Sequence, residues 1–321
     1  MEDTLKYLFL QLNERGYQGR VVPTHHLQDL REEIEGRHEQ GLLNDEFYQA
    51  WLSRFDFKPP ALQEGKPPEN LGATSLIVVA VPRPQIRVDF YQNGRKQSVI
   101  IPPTYVGYED TRHRVQELLA GLLAPAGFHI APARIPLKLL AVSSGLGQYG
   151  RNNICYVPGM GSFFQLVAVS SDLPCIQDPW QEARMLERCQ DCHACRNRCP
   201  SGAIPSDRFL LRAERCIVFH NEQSGQYPFP AWLDPNWHNC LIGCMLCQRV
   251  CPLNRDVLGW VEQGDEFSQD ETRQLMQGVQ LDQLPVATVD KLKRLDLADS
   301  VDALPRNLGV LFAQSAKDRG R

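Results

Sequence analysis

The sequence has no long hydrophobic run. Its longest unbroken apolar stretch, residues 76–81, is far short of the roughly 20 residues that span a bilayer as a helix, so no membrane partner is expected. Residues 1–10 lack a basic start and a long apolar core, and no twin-arginine pair lies near them. No secretion signal is read, and the chain is expected to be cytoplasmic, where thiols stay reduced. Strong net charge is also missing. A net charge of −4 and a pI of about 6.1 give no global drive toward nucleic acid or an anionic surface, although they allow a local basic face. There are no internal repeats and no low-complexity tract. The 321 residues, 43% hydrophobic and 22% charged, exceed one typical domain and can bury a large core without staples.

What the chain does have is cysteine. Eleven are many for a reducing compartment, and nine of them fall between Cys189 and Cys251, so they form a local device and not a diffuse disulfide framework. The first motif is Cys189-x2-Cys192-x2-Cys195-x3-Cys199-Pro200, and the second is Cys244-x2-Cys247-x3-Cys251-Pro252. Thiolates at these spacings converge on an iron–sulfur cube, and a run closed by Cys-Pro is the bacterial two-cluster ferredoxin spacing, in which the last cysteine crosses to the other cluster. The crossing rule assigns Cys189, Cys192, Cys195 and Cys251 to one cluster. It assigns Cys199, Cys244, Cys247 and one further thiolate to the other. Cys216 is favoured over Cys240 as that eighth ligand, because three residues separate Cys240 from Cys244 where a regular run has two. A pair of four-thiolate zinc sites would also use eight cysteines, but this is not a zinc-ribbon spacing.

Patterning divides the chain into four segments. Residues 1–70 read as a helical segment, with helices over 2–15, 27–39 and 46–55. The proline-rich 58–68 stretch is an extended connector. Residues 71–175 read as an α/β cofactor-binding core. Within it, 75–81 is a strand covered on both faces, and 88–91 and 97–101 form a hairpin about Asn93-Gly94. Helices are expected over 109–123 and 137–144, with a strand over 163–170. Residues 176–258 form the cluster module, and 259–321 return to helical patterning that ends in a packed helix over 304–312. The glycine-rich turn Gly145-Leu-Gly-Gln-Tyr-Gly150 has no clear preceding strand and no acidic partner about twenty residues on, so it is not a dinucleotide fingerprint. His25-His26 reads as a surface pair and not a metal site. Cys155 and Cys175 read as buried thiols, and Trp232 and Trp237 are expected to shield the second cluster from water.

Several motifs together resemble epoxyqueuosine reductase and, more distantly, the corrinoid-dependent reductive dehalogenases. They are Gly145-Leu-Gly-Gln-Tyr-Gly-Arg-Asn-Asn153, Tyr156-x4-Gly161-Ser162, Ser171-Asp172-Leu-Pro174, Arg215-Cys216-Ile217, Gly243-Cys244-x2-Cys247-Gln248-x2-Cys251-Pro-Leu-Asn254 and Pro305-Arg306-Asn307. They run through residues 71–312. The resemblance implies an α/β (α+β) fold with a nitroreductase-like cobalamin-binding core, a ferredoxin-like two-cluster 4Fe-4S module and a helical C-terminal segment. It implies Cys189, Cys192, Cys195 and Cys251 on cluster 1, with Cys199, Cys216, Cys244 and Cys247 on cluster 2. Gly145, Gly147, Gly150, Asn152, Gly161 and Ser162 would contact the corrinoid, whose cobalt the nearer cluster would reduce to Co(I).

One departure bears on the reaction. The family places a proton-donating aspartate shortly before the glycine turn, and residues 131–138 carry no carboxylate here. Tyr105, Tyr108 and Tyr149 lie near the expected cofactor site in sequence. Tyr149, with Arg151 as a basic neighbour, or Lys138 is the candidate acid. The expected function is a corrinoid-dependent iron–sulfur reductase. It would take electrons from an external low-potential donor of ferredoxin or flavodoxin type and act on a small molecule or a modified nucleoside, tRNA included. The alternatives are an electron-transfer protein or reductive activator of a partner corrinoid protein, and epoxyqueuosine reductase of tRNA queuosine biosynthesis itself.

Overall fold

The computed structural model describes residues 2–60, 62 and 72–317; most of the 58–68 connector lies outside the described residues. In chain order the elements are α1 (Glu2–Glu14), β1 (Gln18–Pro23), α2 (His26–Glu39), α3 (Asp45–Phe47), β2 (Ser75–Pro82), β3 (Gln85–Gln92), β4 (Arg95–Ile101), α4 (Tyr108–Leu123), β5 (Ile130–Pro132), α5 (Leu137–Ser143), β6 (Gln148–Tyr149), β7 (Cys155–Tyr156) and β8 (Phe164–Ser171). They continue with α6 (Ala194–Arg198), α7 (Ile217–Asn221), α8 (Leu246–Arg249), β9 (Val261–Phe267), α9 (Gln269–Met276), α10 (Val286–Arg294) and α11 (Leu304–Lys317). No described helix is long and apolar enough to cross a membrane.

The chain packs into two compact units built from non-contiguous stretches. The first comprises Met1–Pro82, Glu109–Cys192 and Arg208–Leu210, and the second Arg83–Tyr108, His193–Asp207 and Leu211–Arg321. In the first unit, a four-stranded sheet runs β1-β2-β8-β5 with every neighbour antiparallel. Because side chains alternate along a strand, β2 serves two cores at once. Ile77, Val79 and Val81 pack with Leu8 and Leu12 of α1 and with Val115, Leu119 and Leu123 of α4. Leu76, Val78 and Ala80 pack on the other face with Leu27, Leu30 and Ile34 of α2 and with Leu139 and Leu140 of α5. The result is a helix–sheet–helix sandwich. The apolar run that reads as a doubly covered strand is one, although its neighbours are antiparallel.

In the second unit, β4-β3-β9 form a sheet in which β3 and β4 are the expected hairpin and β3 and β9 are parallel. Asn93 and Gly94 both take positive φ, 53° and 70°, as a primed two-residue turn demands. Phe90 and Phe267 stack at 4.8 Å with an interplanar angle of 6°. The core they anchor takes in Leu292, Leu304, Leu308 and Phe312 from the C-terminal helices.

Two strands depart from the sequence expectation of helix. β1 lies within the segment read as helical, and β9 within the C-terminal helical patterning. β9, Val-Glu-Gln-Gly-Asp-Glu-Phe, is half-exposed, and only Phe267 is buried on it. A polar edge strand carries little period-two signal, and its state is set by pairing with a distant partner. Gly264 allows that approach, since a Cβ there would lie 2.6 Å from the Ile86 side chain. If β9 is a core strand, Phe267→Ala destabilises the protein by about 3–5 kcal/mol. Denaturant unfolding followed by tryptophan fluorescence checks this, and an unshifted midpoint would remove β9 from the core.

Candidate iron–sulfur and reductase site

The cysteine loops have few backbone ladders, so local rules shape them. α6 follows directly on His193, carries Cys195 and ends at Cys199; α8 carries Cys247 and is closely followed by Cys251. Both closing cysteines precede proline. A residue before proline is driven out of the helical region, and Cys199 (φ −79°, ψ 105°) and Cys251 (φ −74°, ψ 123°) are accordingly extended. The Cys-Pro junction therefore stops each short helix at or just before its closing cysteine.

Within the second unit, Cys199, Cys216 and Cys244 come together. Burial is the chief cause that pushes the Cys216 thiol up to about 12, and the neighbouring Cys244 and Cys199 add to it. Burial and Cys199 likewise raise Cys244. Against these, the backbone N–H groups of Val218 and Leu246 are aimed at the Cys216 and Cys244 sulfurs. Half-buried cysteines gathered this closely, with amides pointed at two of the sulfurs, suit thiolates held by a cationic group. The donor set fits an iron–sulfur cluster. Cys240 is buried and feels Cys244, but its thiol donates to the Asn239 side-chain oxygen at 3.3 Å.

The first unit holds Cys189 and Cys192 on a loop gripped by one side chain. The Arg151 guanidinium donates to the carbonyls of Cys189 (2.7 and 3.1 Å), Gln190 (2.9 Å) and Cys192 (3.1 Å). The sequence places Arg151 beside Tyr149 as a basic helper; the structure shows it holding the backbone of the cysteine loop. Tyr149 is buried, and burial foremost, with Cys155 next, raises its phenol above the usual range. Its ring meets Phe209 edge-on at 5.8 Å. Phe209 also lines a cavity of about 340 Å3 with Glu32, Glu33, Arg37 and Arg208. Raised in this way, the phenol stays protonated at neutral pH and gives up its proton only to a strongly basic atom such as a developing alkoxide. Lys138 is exposed on α5, and its charge acts on Cys155.

The six residues singled out for the corrinoid serve the chain's own packing. Gly145 (φ 72°) closes α5: its N–H bonds Val142 O while that of Leu146 bonds Ala141 O, the paired bonds of a Schellman cap. A Cβ on Gly147 would lie 2.7 Å from the Cys155 sulfur, and one on Gly150 would lie 2.6 Å from the Tyr156 ring. The Asn152 side chain donates to the Tyr156 hydroxyl at 3.0 Å. Gly161 accepts from Val157 N–H across a tight turn, and Ser162 is buried behind it. Gly147 and Gly150 are thus closely packed by the chain's own atoms on the side a Cβ would take.

His26 departs from the surface-pair expectation, since it is buried. Its two ring nitrogens meet Asp29 (2.5 Å) and Asp178 (2.8 Å), and Trp180 stacks on it at 4.0 Å. His25, His26 and Asp178 bring ligand atoms within 4.8 Å of one another. With a carboxylate at each ring nitrogen, both polar atoms of the His26 ring already have partners within the chain. Cys155 is buried as expected, whereas Cys175 is half-buried. Trp232 is exposed, with the Arg215 guanidinium 5.3 Å from its ring centroid.

Residues whose tasks the sequence does not disclose surround the second cysteine set. The Tyr105 hydroxyl, half-buried, donates to Glu222, and its ring fills the space a Cβ on Gly243 would need. Arg306 on α11 donates to the carbonyls of His220, Gln223, Ser224 and Tyr227, and its neighbour Asn307 donates to Asn221 O and Leu241 O. Pro305-Arg306-Asn307 is legible as a motif, but the job of its two polar side chains is not.

Comparison with known proteins agrees with this geometry. Residues 188–254 match the 4Fe-4S double cluster binding domain family, so the chain carries such a domain. Epoxyqueuosine reductase of Pseudomonas aeruginosa is 35% identical over 150 residues, 45% of this chain and 40% of that protein; the match thus spans less than half of the relative's length. An epoxyqueuosine reductase crystallised with an epoxyqueuosine-modified tRNA stem loop superposes with TM-score 0.63 at 17% identity, covering 98% of this chain and 80% of that one. The two share a fold of mixed helix and sheet. A catabolic reductive dehalogenase reaches a TM-score of only 0.37 over 34% of its chain, at 15% identity.

Two outcomes test the site. Cys216→Ala loses about half of the iron of the two clusters and Cys240→Ala loses none, by iron and sulfide analysis after anaerobic reconstitution; the reverse pattern would make Cys240 the ligand. Arg151→Met frees the loop carbonyls and lowers iron retention while helix content by circular dichroism is unchanged. Full iron retention would show that the loop holds without its clamp.

Proposed function

We propose that this chain is an iron–sulfur reductase of the epoxyqueuosine reductase type, acting on an epoxide-bearing nucleoside in tRNA. The observation that carries the proposal is the joint presence of the double-cluster cysteine set and a fold shared over nearly the whole chain with an enzyme crystallised on an epoxyqueuosine-modified stem loop. Reductive removal of an epoxide oxygen takes two electrons and two protons and releases water. The clusters supply the electrons, one at a time, from an external low-potential donor. Tyr149 supplies a protonated phenol in a buried site, where a carboxylate is absent from residues 131–138. The resemblance adds a corrinoid as second redox group.

The absent carboxylate favours a second reading, an electron-transfer protein that reduces a partner and converts no substrate. One experiment separates the two. The anaerobic protein with intact clusters is given a chemical reductant, cob(II)alamin and an epoxyqueuosine-modified tRNA stem loop. Nucleoside mass spectrometry is expected to show loss of one oxygen, and Tyr149→Phe to slow it at least tenfold. Intact clusters without conversion would leave the electron-transfer reading.

A further inference from the structure

The second motif leaves one polar side chain without an obvious task. Asn239 sits five residues before Cys244 and is half-buried. Its side chain makes four hydrogen bonds. Oδ1 accepts from Met245 N–H at 2.9 Å and from the Cys240 thiol at 3.3 Å. Nδ2 donates to Trp237 O at 3.1 Å and to Cys244 Sγ at 3.2 Å. The two ends of an amide are interchangeable by shape, but here the partners decide. A backbone N–H can only donate and a backbone carbonyl can only accept, so Nδ2 must face the sulfur.

We infer that Asn239 tunes the second cluster by donating its amide N–H to the Cys244 sulfur, and that Cys240 is the residue that locks Asn239 in this orientation. A hydrogen bond to a ligand sulfur withdraws negative charge from it. Reduction adds an electron to the cluster, so the reduced state gains more from the bond, and the reduction potential rises. This gives Cys240 a role outside the ligand set. A buried S–H beside Oδ1 is a donor that a second ligand thiolate could not be. Asn239 is on this view a positioning residue that acts through Cys244. The inference rests on the double-cluster reading and is independent of the substrate.

The test starts from iron and sulfide content, followed by electron paramagnetic resonance during a redox titration of the full chain. Asn239→Ala is expected to keep the eight irons of two 4Fe-4S clusters. At a fixed potential, the reduced-to-oxidised ratio of one cluster should fall about tenfold, equivalent to about 59 mV for a one-electron couple, with the other cluster unmoved. Cys240→Ala should give a smaller shift in the same direction, and Cys240→Ser, which keeps a donor, should restore the original value. Intact iron with both midpoints unchanged in Asn239→Ala overturns the inference alone. A wild-type chain that takes up no iron overturns the cluster reading and this inference with it. If Asn239→Ala sheds a cluster, pulsed resonance on wild-type protein carrying 15N only in asparagine side chains decides. A nitrogen coupling to one reduced cluster supports the bond, and its absence overturns it.

Discussion

Sulfur taken out of water is the constraint on which the second unit depends. A buried thiolate is costly unless positive charge and hydrogen-bond donors compensate it. Burial raises Cys216 and Cys244 most, and the neighbouring Cys199 adds to both, with Cys244 also raising Cys216. No lysine or arginine is among the causes that lower Cys216. Its relief comes from Val218 N–H, and that of Cys244 mainly from Asn239 and Leu246 N–H, with Arg249 last. Such dipoles soften the charge without cancelling it, which leaves the neutralising role to the iron of a cluster.

Two cationic side chains, Arg151 and Arg306, act on carbonyls instead. Loops without ladders expose carbonyl groups that must find donors. One planar guanidinium offers five N–H groups in a fixed fork, so Arg151 can gather three carbonyls of one loop and Arg306 four. Each replaces a stretch of secondary structure with a single residue. Lysine could not do the same, since its compact ammonium lacks the spread of the fork.

Much of this was legible from residue types alone. The cysteine spacing named the cluster motif, because ligand geometry dictates spacing directly. The β2 strand and the Asn93-Gly94 hairpin were legible because periodicity and turn chemistry are local. What escaped depends on distant partners. β9 is a strand because β3 pairs with it, and the glycine turn is filled because Cys155 and Tyr156 return to it. His26 reads as surface until Asp178 and Trp180 close over it. Asn239 carries no periodic signal, and its role exists only through the orientation that Met245 and Trp237 impose.

The physical surround of the second cysteine set is wider than the cysteine-rich stretch. Tyr105, from the segment after the β3–β4 hairpin, fills the space over Gly243 and bonds Glu222. Leu241 and Ile242, just before Cys244, belong to the core made by Phe90, Phe267 and the C-terminal helices. Asn307 reaches from α11 to Leu241 O, and Asn221 is doubly bonded to the backbone of Gly243. Ligand positions near Cys244 are thereby set by residues far upstream and far downstream. Because a metal site's binding energy is also folding energy, a cluster held at Cys244 would be coupled to the order of the core that Leu241 and Ile242 join. The helices after β9 thus help to fix the backbone that leads into Cys244.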